Sequence, residues 1–295
     1  MSYDAPTLAQ LDYLSFVGKR YPFIYVAAPK AACSTIKGML YALENVAIPT
    51  RMLGLPDVHF RATTGIASLT NYPDADCATL LQDPRYTRFA VVRNPYSRVA
   101  SAWANKINQK APAYLLLQQH ISEWAGLPAT TPPPFKSFIQ WLVNTQSPQL
   151  CDLHWRPMAH LLMPNLVDYQ FIVRTEALAS SLQPVLSALH INTPAADLLH
   201  THTTNESLPI DWQALYDEET ASWVQQFYAE DFTRYAYATD SWQSSPTIAE
   251  DADQQLAGLR AKLAKSNYIA LTMIRKKNEE IFLLKQHIQQ LTAGD

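Results

Sequence analysis

YPFIYVAAPKAACSTIKGML, residues 21–40, passes from an apolar and aromatic run, through a short loop, into an amphipathic pattern. The run 21–28 ends at Pro29 and reads as a buried strand. From Ser34 the apolar residues Ile36, Met39, Leu40 and Leu43 recur at i, i+3, i+4 and i+7, the spacing of one helix face. The stretch therefore predicts strand, tight loop, helix. Its loop gathers Lys30, Ala31, Ala32, Cys33, Ser34 and Thr35. Amides at a helix start have no partner inside the helix, and the helix dipole favours an anion there by about 0.3–1 kcal/mol. Ala31 and Ala32 let a ligand approach the backbone, Lys30 adds a full charge, and Ser34 and Thr35 add donors. Taken alone, the segment also fits an ordinary capped helix with Lys30 solvated.

The same order recurs downstream. RFAVVR (88–93) reads as a second buried strand, NPYS (94–97) as the turn, and VASAWANKI (99–107) as a helix with Val99, Ala102, Trp103 and Ile107 inward. Pro95 suits the first helical turn, where its missing N–H would have no partner anyway. Arg93 closes the strand and Ser101 lies about two turns into the helix. An arginine grips a phosphate through two parallel N–H bonds, each worth about 1.5–3 kcal/mol as a charge-assisted bond. Arg93 alone would fit a structural ion pair, and Ser101 an ordinary helix serine; two anion loops of one syntax are the informative feature. A third buried strand, DYQFIVR (168–174), precedes a helix at about 177–189, and helices at 114–126 and 135–144 flank the break PATTPPPF. Strands alternating with helices predict an α/β fold, a parallel sheet flanked by helices.

Composition narrows the function classes. The 295 residues are 48% hydrophobic and 17% charged, which predicts a folded chain. Only seven are glycine, and none falls into G-x-G-x-x-G or G-x-x-x-x-G-K-[ST], so the Rossmann and Walker A fingerprints are absent. No window approaches the 18 or so consecutive apolar residues of a membrane span, and MSYDAPTLAQLDYL lacks the layout of a signal peptide. A cytoplasmic protein without a transmembrane segment is expected. Cys33, Cys77 and Cys151, widely spaced and odd in number, suit a reducing compartment and exclude a disulfide framework or a four-cysteine zinc site; no metal is expected.

Residues 260–291 hold seven lysines and arginines against two glutamates, so the rest of the chain, Asp295 aside, stands at about −7 although the whole is at −3. That argues against nucleic-acid binding and makes any anion site local. A polar stretch after Tyr237 suggests a catalytic domain over 1–240, a linker over 241–255 and a helical tail over 256–295. In the tail, Ile274, Ile281 and Ile288 share one heptad position, and Leu263, Leu284 and Leu291 another. This pattern predicts a coiled-coil homodimer, although Asn267 and Lys277 interrupt the seam. Packing back on the body and lying on an anionic membrane surface remain alternatives.

PKAACST (29–35) resembles the 5′-phosphosulfate loop of carbohydrate sulfotransferases, PK-x-A-C-[ST]. FAVVRNPYSRVASAW (89–103) resembles their 3′-phosphate motif, F-x-x-V-R-[DNH]-P-[FY]-x-R-[LV]-x-S-[AG]-[YW]. HWRP (154–157), YQFIVRTEAL (169–178) and YDEETASWVQQFYAEDFTRYAY (216–237) look similar to further segments, so the likeness covers roughly residues 20–240. The resemblance implies a P-loop-like α/β fold that binds 3′-phosphoadenosine 5′-phosphosulfate (PAPS) and transfers its sulfuryl group to a hydroxyl or amine, a carbohydrate being the favoured acceptor. Lys30, with Ser34, Thr35 and their amides, would hold the 5′-phosphosulfate and stabilise the leaving phosphate. Arg93 and Ser101 would hold the 3′-phosphate. Cys33 stands at the family's cysteine and reads as a small packing residue, since the reaction needs no thiol nucleophile.

In-line transfer asks the protein to position the reactants, stabilise spreading charge and supply a base. His59, between the two loops, is the first candidate base, because some family members have a catalytic histidine in that interval; a structural histidine fits equally. His154 in HWRP is the second. Glu176 reads as structural, and His200, His202, Asn205 and Ser207 form a polar stretch of unassigned role. The competing readings are a P-loop-like nucleotide kinase, disfavoured because Lys30 precedes the hydroxyl pair without Walker glycines, and a non-catalytic nucleotide-binding or scaffold protein acting through its basic tail.

Overall fold

A computed structural model describes residues 5–48, 50–51, 55–56, 58–59, 66–72, 77–109, 111–201 and 211–243. The described residues fall into two units, those of 5–47 with those of 66–243 in one, and those of 48–59 in the other. In chain order the elements begin with α1 (Ala5–Leu14), β1 (Ser15–Val17), β2 (Phe23–Val26) and α2 (Cys33–Leu43). β3 (Thr50–Arg51) and β4 (Leu55–Pro56) pair antiparallel in the second unit. The first unit continues with α3 (Cys77–Gln82), β5 (Thr87–Val92), α4 (Pro95–Ala102), α5 (Leu115–Trp124), α6 (Phe135–Thr145) and α7 (Met158–Leu162). It ends with β6 (Phe171–Arg174), α8 (Leu178–Ala188), α9 (Ala195–Thr201), α10 (Glu218–Phe227) and α11 (Ala229–Arg234).

The three strands expected from apolar runs are β2, β5 and β6, adjacent and parallel in a sheet of order β1-β2-β5-β6, but β6, expected to be buried, is an edge strand in which Val173 alone is buried and Ile172 is exposed. Tyr25 stands opposite Phe89, and Phe89 opposite Phe171. The sheet also has an antiparallel edge, β1, which three residues running straight on from α1 gave no pattern to reveal. Side chains alternate across β2 and β5. Ile24, Val26, Ala90 and Val92 join Leu11 and Leu14 of α1 and Leu161 and Leu162 of α7 in one core. Phe23, Tyr25 and Phe89 belong to the opposite set, with Tyr25 and Phe89 stacked at 5.0 Å. A second core joins α4, α5, α6, α10 and α11 through Val99, Ile121, Phe138, Leu142, Val224 and Phe232 around the buried Trp155 of the turn before α7. The linker beyond Gln243 and the tail 256–295 lie outside the described residues.

The helix after β5 changes pitch. Asn94 caps α4 by accepting from the Tyr96 amide at 3.0 Å, and Pro95 occupies the first turn as expected. After Ala102 the α-helix gives way to a π-helical stretch, Trp103–Asn108, which the sequence pattern did not distinguish from continued α-helix. Among the described residues no helix is long and apolar enough to cross a membrane.

One buried arginine ties the connections together. Arg98 of α4 is fully buried. Its Nε donates to the Pro29 carbonyl at 2.9 Å, Nη1 to the Arg156 carbonyl at 2.8 Å and Nη2 to the Leu153 carbonyl at 3.3 Å. The loop after β2 and the segment before α7 are thus fixed to one guanidinium. The buried Asp231 carboxylate of α11 holds the same segment from beyond, accepting from the Met158 and Ala159 amides at 2.8 and 2.7 Å. Burial pushes the Asp231 carboxyl up to about 6, with Arg98 and the two amides pulling the other way.

Arg98→Met should cost about 3–5 kcal/mol in urea denaturation, because it strips three carbonyls of their donor and the buried Asp231 of its cation. Arg85→Met, which breaks the surface pair with Asp83, should leave the midpoint unmoved. Equal midpoints for the two variants would show that Arg98 is not the tie described.

Candidate active site

The loop after β2 holds two residues in the left-handed region, Lys30 at φ 67° and Ala32 at φ 52°. Neither is glycine, and each such residue costs about 1–2 kcal/mol. The arginines of the second loop offset this. Besides Arg98 on the Pro29 carbonyl, Arg93 donates from Nη1 to the Lys30 carbonyl at 3.1 Å. Charge-assisted bonds of this kind are each worth about 1.5–3 kcal/mol, enough to hold the strained turn. α2 then starts at Cys33 behind Ala32, with no side chain capping it. The two alanines differ. Ala31 is fully buried among the core side chains and its amide donates to the Ala28 carbonyl at 3.2 Å, whereas Ala32 is half-buried at the N-cap.

Arg93 sits at the end of β5, braced by a 2.9 Å bond from Nε to the Ser97 hydroxyl, and Ser101 is buried two turns along α4. Glu176 is committed elsewhere. One carboxylate oxygen accepts from the Asn94 amide at 2.7 Å and the other from the Tyr237 hydroxyl at 3.0 Å, the structural part expected of it.

Positive charge accumulates at the loop. No ion pair among the described residues includes Lys30, Arg93 or Lys106. Burial pulls the Lys30 ammonium down to about 8; Cys33 opposes this, while Lys106, Arg93 and Arg98 add to it. Burial likewise lowers the Arg93 guanidinium, with Glu176 opposing. A half-buried lysine, two arginines and an uncapped helix start converge, an arrangement that an anion relieves.

Beside this charge lies His154. Its Nδ1 is 2.8 Å from Asp152 Oδ1 and 2.9 Å from the Tyr114 hydroxyl, which in turn is 3.1 Å from Asp152 Oδ2. Its amide donates to Asp152 Oδ1 at 2.8 Å. Burial lowers the His154 imidazole below its usual value; Asp152 pulls it back, and Lys106 and Lys30 push it further down. His154 is therefore neutral at pH 7 and within electrostatic reach of both lysines. Lys106 stands on the π-helical stretch, its Nζ 5.3 Å from the centroid of the Tyr114 ring.

His59 is exposed on a turn of the other unit. His202, Asn205 and Ser207 lie outside the described residues. Four residues of the site escaped the sequence reading. Arg98 stood in the quoted motif without a role, and Asp152 stood two residues before His154, a spacing that lets a carboxylate reach the ring across a turn. Tyr114 and Lys106 come from other segments and carried no local signal.

The profile of the sulfotransferase family matches residues 14–238. Carbohydrate sulfotransferase 14 of Homo sapiens is 27% identical over 254 residues, covering 81% of this chain and 62% of its own length. Carbohydrate sulfotransferase 8 of Mus musculus is 26% identical over 183 residues, 59% of this chain and 43% of its own. Carbohydrate sulfotransferase 12 of Xenopus laevis is 25% identical over 271 residues, 80% of this chain and 62% of its own. The chain thus spans about three-fifths or less of the length of these curated relatives. No solved structure matches it significantly.

An anion bound at the loop stabilises the charged form of Lys30, so binding above the free-state value of about 8 takes up a proton. Calorimetric affinity for adenosine 3′,5′-bisphosphate should therefore fall above pH 8, by at most about tenfold per pH unit. Lys30→Arg should abolish that decline. The same decline in both proteins would remove Lys30 from the anion site.

Proposed function

This chain belongs to the sulfotransferase family, and we propose from that premise that it transfers the sulfuryl group of PAPS to a carbohydrate hydroxyl. The observation that carries the reading is the joining of two strand-to-helix anion loops by Arg93 and Arg98, which sets Lys30 and the uncapped start of α2 beside Arg93. The donor set fits PAPS. Lys30 and the α2 amides take the 5′-phosphosulfate, with Ser34 and Thr35 adjoining, and Arg93 and Ser101 take the 3′-phosphate. PAPS supplies the activated sulfuryl group. Lys30 holds positive charge where the departing phosphate gains negative charge, so its interaction strengthens as the S–O bond breaks. His154 accepts the proton of the acceptor hydroxyl as the new O–S bond forms, and adenosine 3′,5′-bisphosphate departs. Neutral at pH 7 and close to Lys30, it is the better supported base than His59. The carbohydrate acceptor is supported by the names of the relatives, and the charge on Lys30 and Arg93 offsets that of the donor without calling on a metal.

The lack of any disulfide at Cys33, Cys77 and Cys151 supports a reducing compartment, and we take the cytoplasm as the site of action. The heptads of 256–295 support a homodimer. Truncation after Gln243 should then reduce the particle mass to less than half in sedimentation; a loss equal only to the missing residues rejects it.

Thermal shift tests the donor reading. Adenosine 3′,5′-bisphosphate at a hundredfold excess over Kd should add about 2.7 kcal/mol, and Arg93→Ala should weaken its binding roughly 10–100-fold. ATP and GTP, which lack the 3′-phosphate, should bind less well. Equal stabilisation by ATP overturns the reading in favour of a kinase-like site, and no response to the bisphosphate overturns nucleotide binding.

A further inference from the structure

We propose that Asp152 is a positioning residue which, braced by Tyr114, fixes the tautomer of His154 so that Nε2 is the unprotonated nitrogen offered to the acceptor. The inference rests on the sulfuryl-transfer reading only for its catalytic consequence; the tautomer follows from the hydrogen bonds alone.

Two proton arrangements satisfy the distances among Tyr114, Asp152 and His154. In the first, Nδ1–H donates to Asp152 Oδ1 across 2.8 Å and the Tyr114 hydroxyl donates to Asp152 Oδ2 across 3.1 Å. In the second, the Tyr114 hydroxyl donates to Nδ1 across 2.9 Å and the proton of the ring sits on Nε2. The second leaves the Nδ1 lone pair facing a carboxylate oxygen at 2.8 Å with no proton between them, which is repulsive. It also leaves Asp152 Oδ2 without the tyrosine proton. The first gives every donor an acceptor and places both hydrogen bonds on an ionised carboxylate, where they are strongest. Burial would raise the Asp152 carboxyl, but hydrogen bonds from the His154 ring and amide and from Tyr114 carry it below its usual value, so the carboxylate form persists at neutral pH.

The remaining neighbours agree. Lys106 on the π-helical stretch and Lys30 on the loop after β2 are the cations that act on the ring, and both disfavour imidazolium. Asp152 is the carboxylate that favours it. The ring is thus held neutral at rest and gains a partner for the charge it acquires on taking the acceptor proton. The Asp152 carboxylate neither meets the acceptor nor changes protonation in that step: the proton passes from the acceptor hydroxyl to Nε2, and Nδ1–H stays with Asp152.

The test has a spectroscopic half and a kinetic half. Nitrogen-15 NMR of histidine-labelled full-length protein at pH 7.5 should show His154 with a protonated Nδ1 and an unprotonated Nε2, identified by loss of its signals in His154→Gln. In Asp152→Asn, whose amide can donate to Nδ1, the Nε2–H form should appear. Sulfuryl transfer should then fall about 100-fold or more in kcat, with the Kd for adenosine 3′,5′-bisphosphate within about twofold of wild type. The acid limb of the residual pH profile should move to lower pH, since the carboxylate that favoured the charged ring is gone. Asp152→Glu should restore part of kcat. An Nε2–H tautomer in the wild-type protein overturns the proposal without any variant, and so does an unmoved acid limb in a folded Asp152→Asn. Should the wild type bind the bisphosphate yet transfer no sulfuryl group to any carbohydrate, the function fails while the NMR result still decides the tautomer.

Discussion

The guanidinium of Arg98 is the point on which the site depends. It reaches no bulk water, and its three hydrogen bonds go to carbonyls of two chain segments distant in sequence, the loop after β2 and the turn that carries His154. A charge in that position is expensive unless every donor is matched, so it tolerates little displacement of either segment. The spacing between Lys30 and His154 is therefore fixed through the core. Arg93, at the end of β5, repeats the device on the next carbonyl of the same loop.

Much of the fold was legible because its signals were local. The runs YPFIYV and RFAVV are apolar because β2 and β5 are buried along their whole length, and a buried parallel strand leaves no other pattern, whereas QFIV belongs to the edge strand β6, where Val173 alone is buried. The helix period of α2 reported its inward face in Ile36, Met39 and Leu40, whereas α4 is buried on every side. β1 was too short to alternate, and the π-helical stretch keeps the apolar residues of an α-helix while changing where Lys106 points. The site divided likewise. Lys30, Arg93 and Ser101 stand in contiguous motifs. The surroundings of His154 are assembled from the 112–114 turn, the π-helical stretch and the 151–157 segment, and nothing within any one of them announces the others.

Acid acts on this structure in two opposed ways. Asp231, held at about 6, binds its proton sooner in the folded chain than its usual value of 3.8 allows in the unfolded one, so its contribution to stability grows as pH falls through that window. His154, held below 6.5, binds later when folded, and its contribution is lost as pH falls. The two contributions therefore have opposite signs as the pH falls.

The left-handed turn at Lys30 and Ala32 has a consequence for ligand capture. A glycine-built phosphate loop is free to wander and must be ordered when its anion arrives, whereas residues bearing a Cβ have fewer conformations to lose. Here the unfavourable backbone geometry is settled during folding, under the two arginines, and the amides of α2 are already in place. Little entropy is left to surrender on encounter, so selectivity is set by the shape and charge of the anion rather than by its ability to organise the loop.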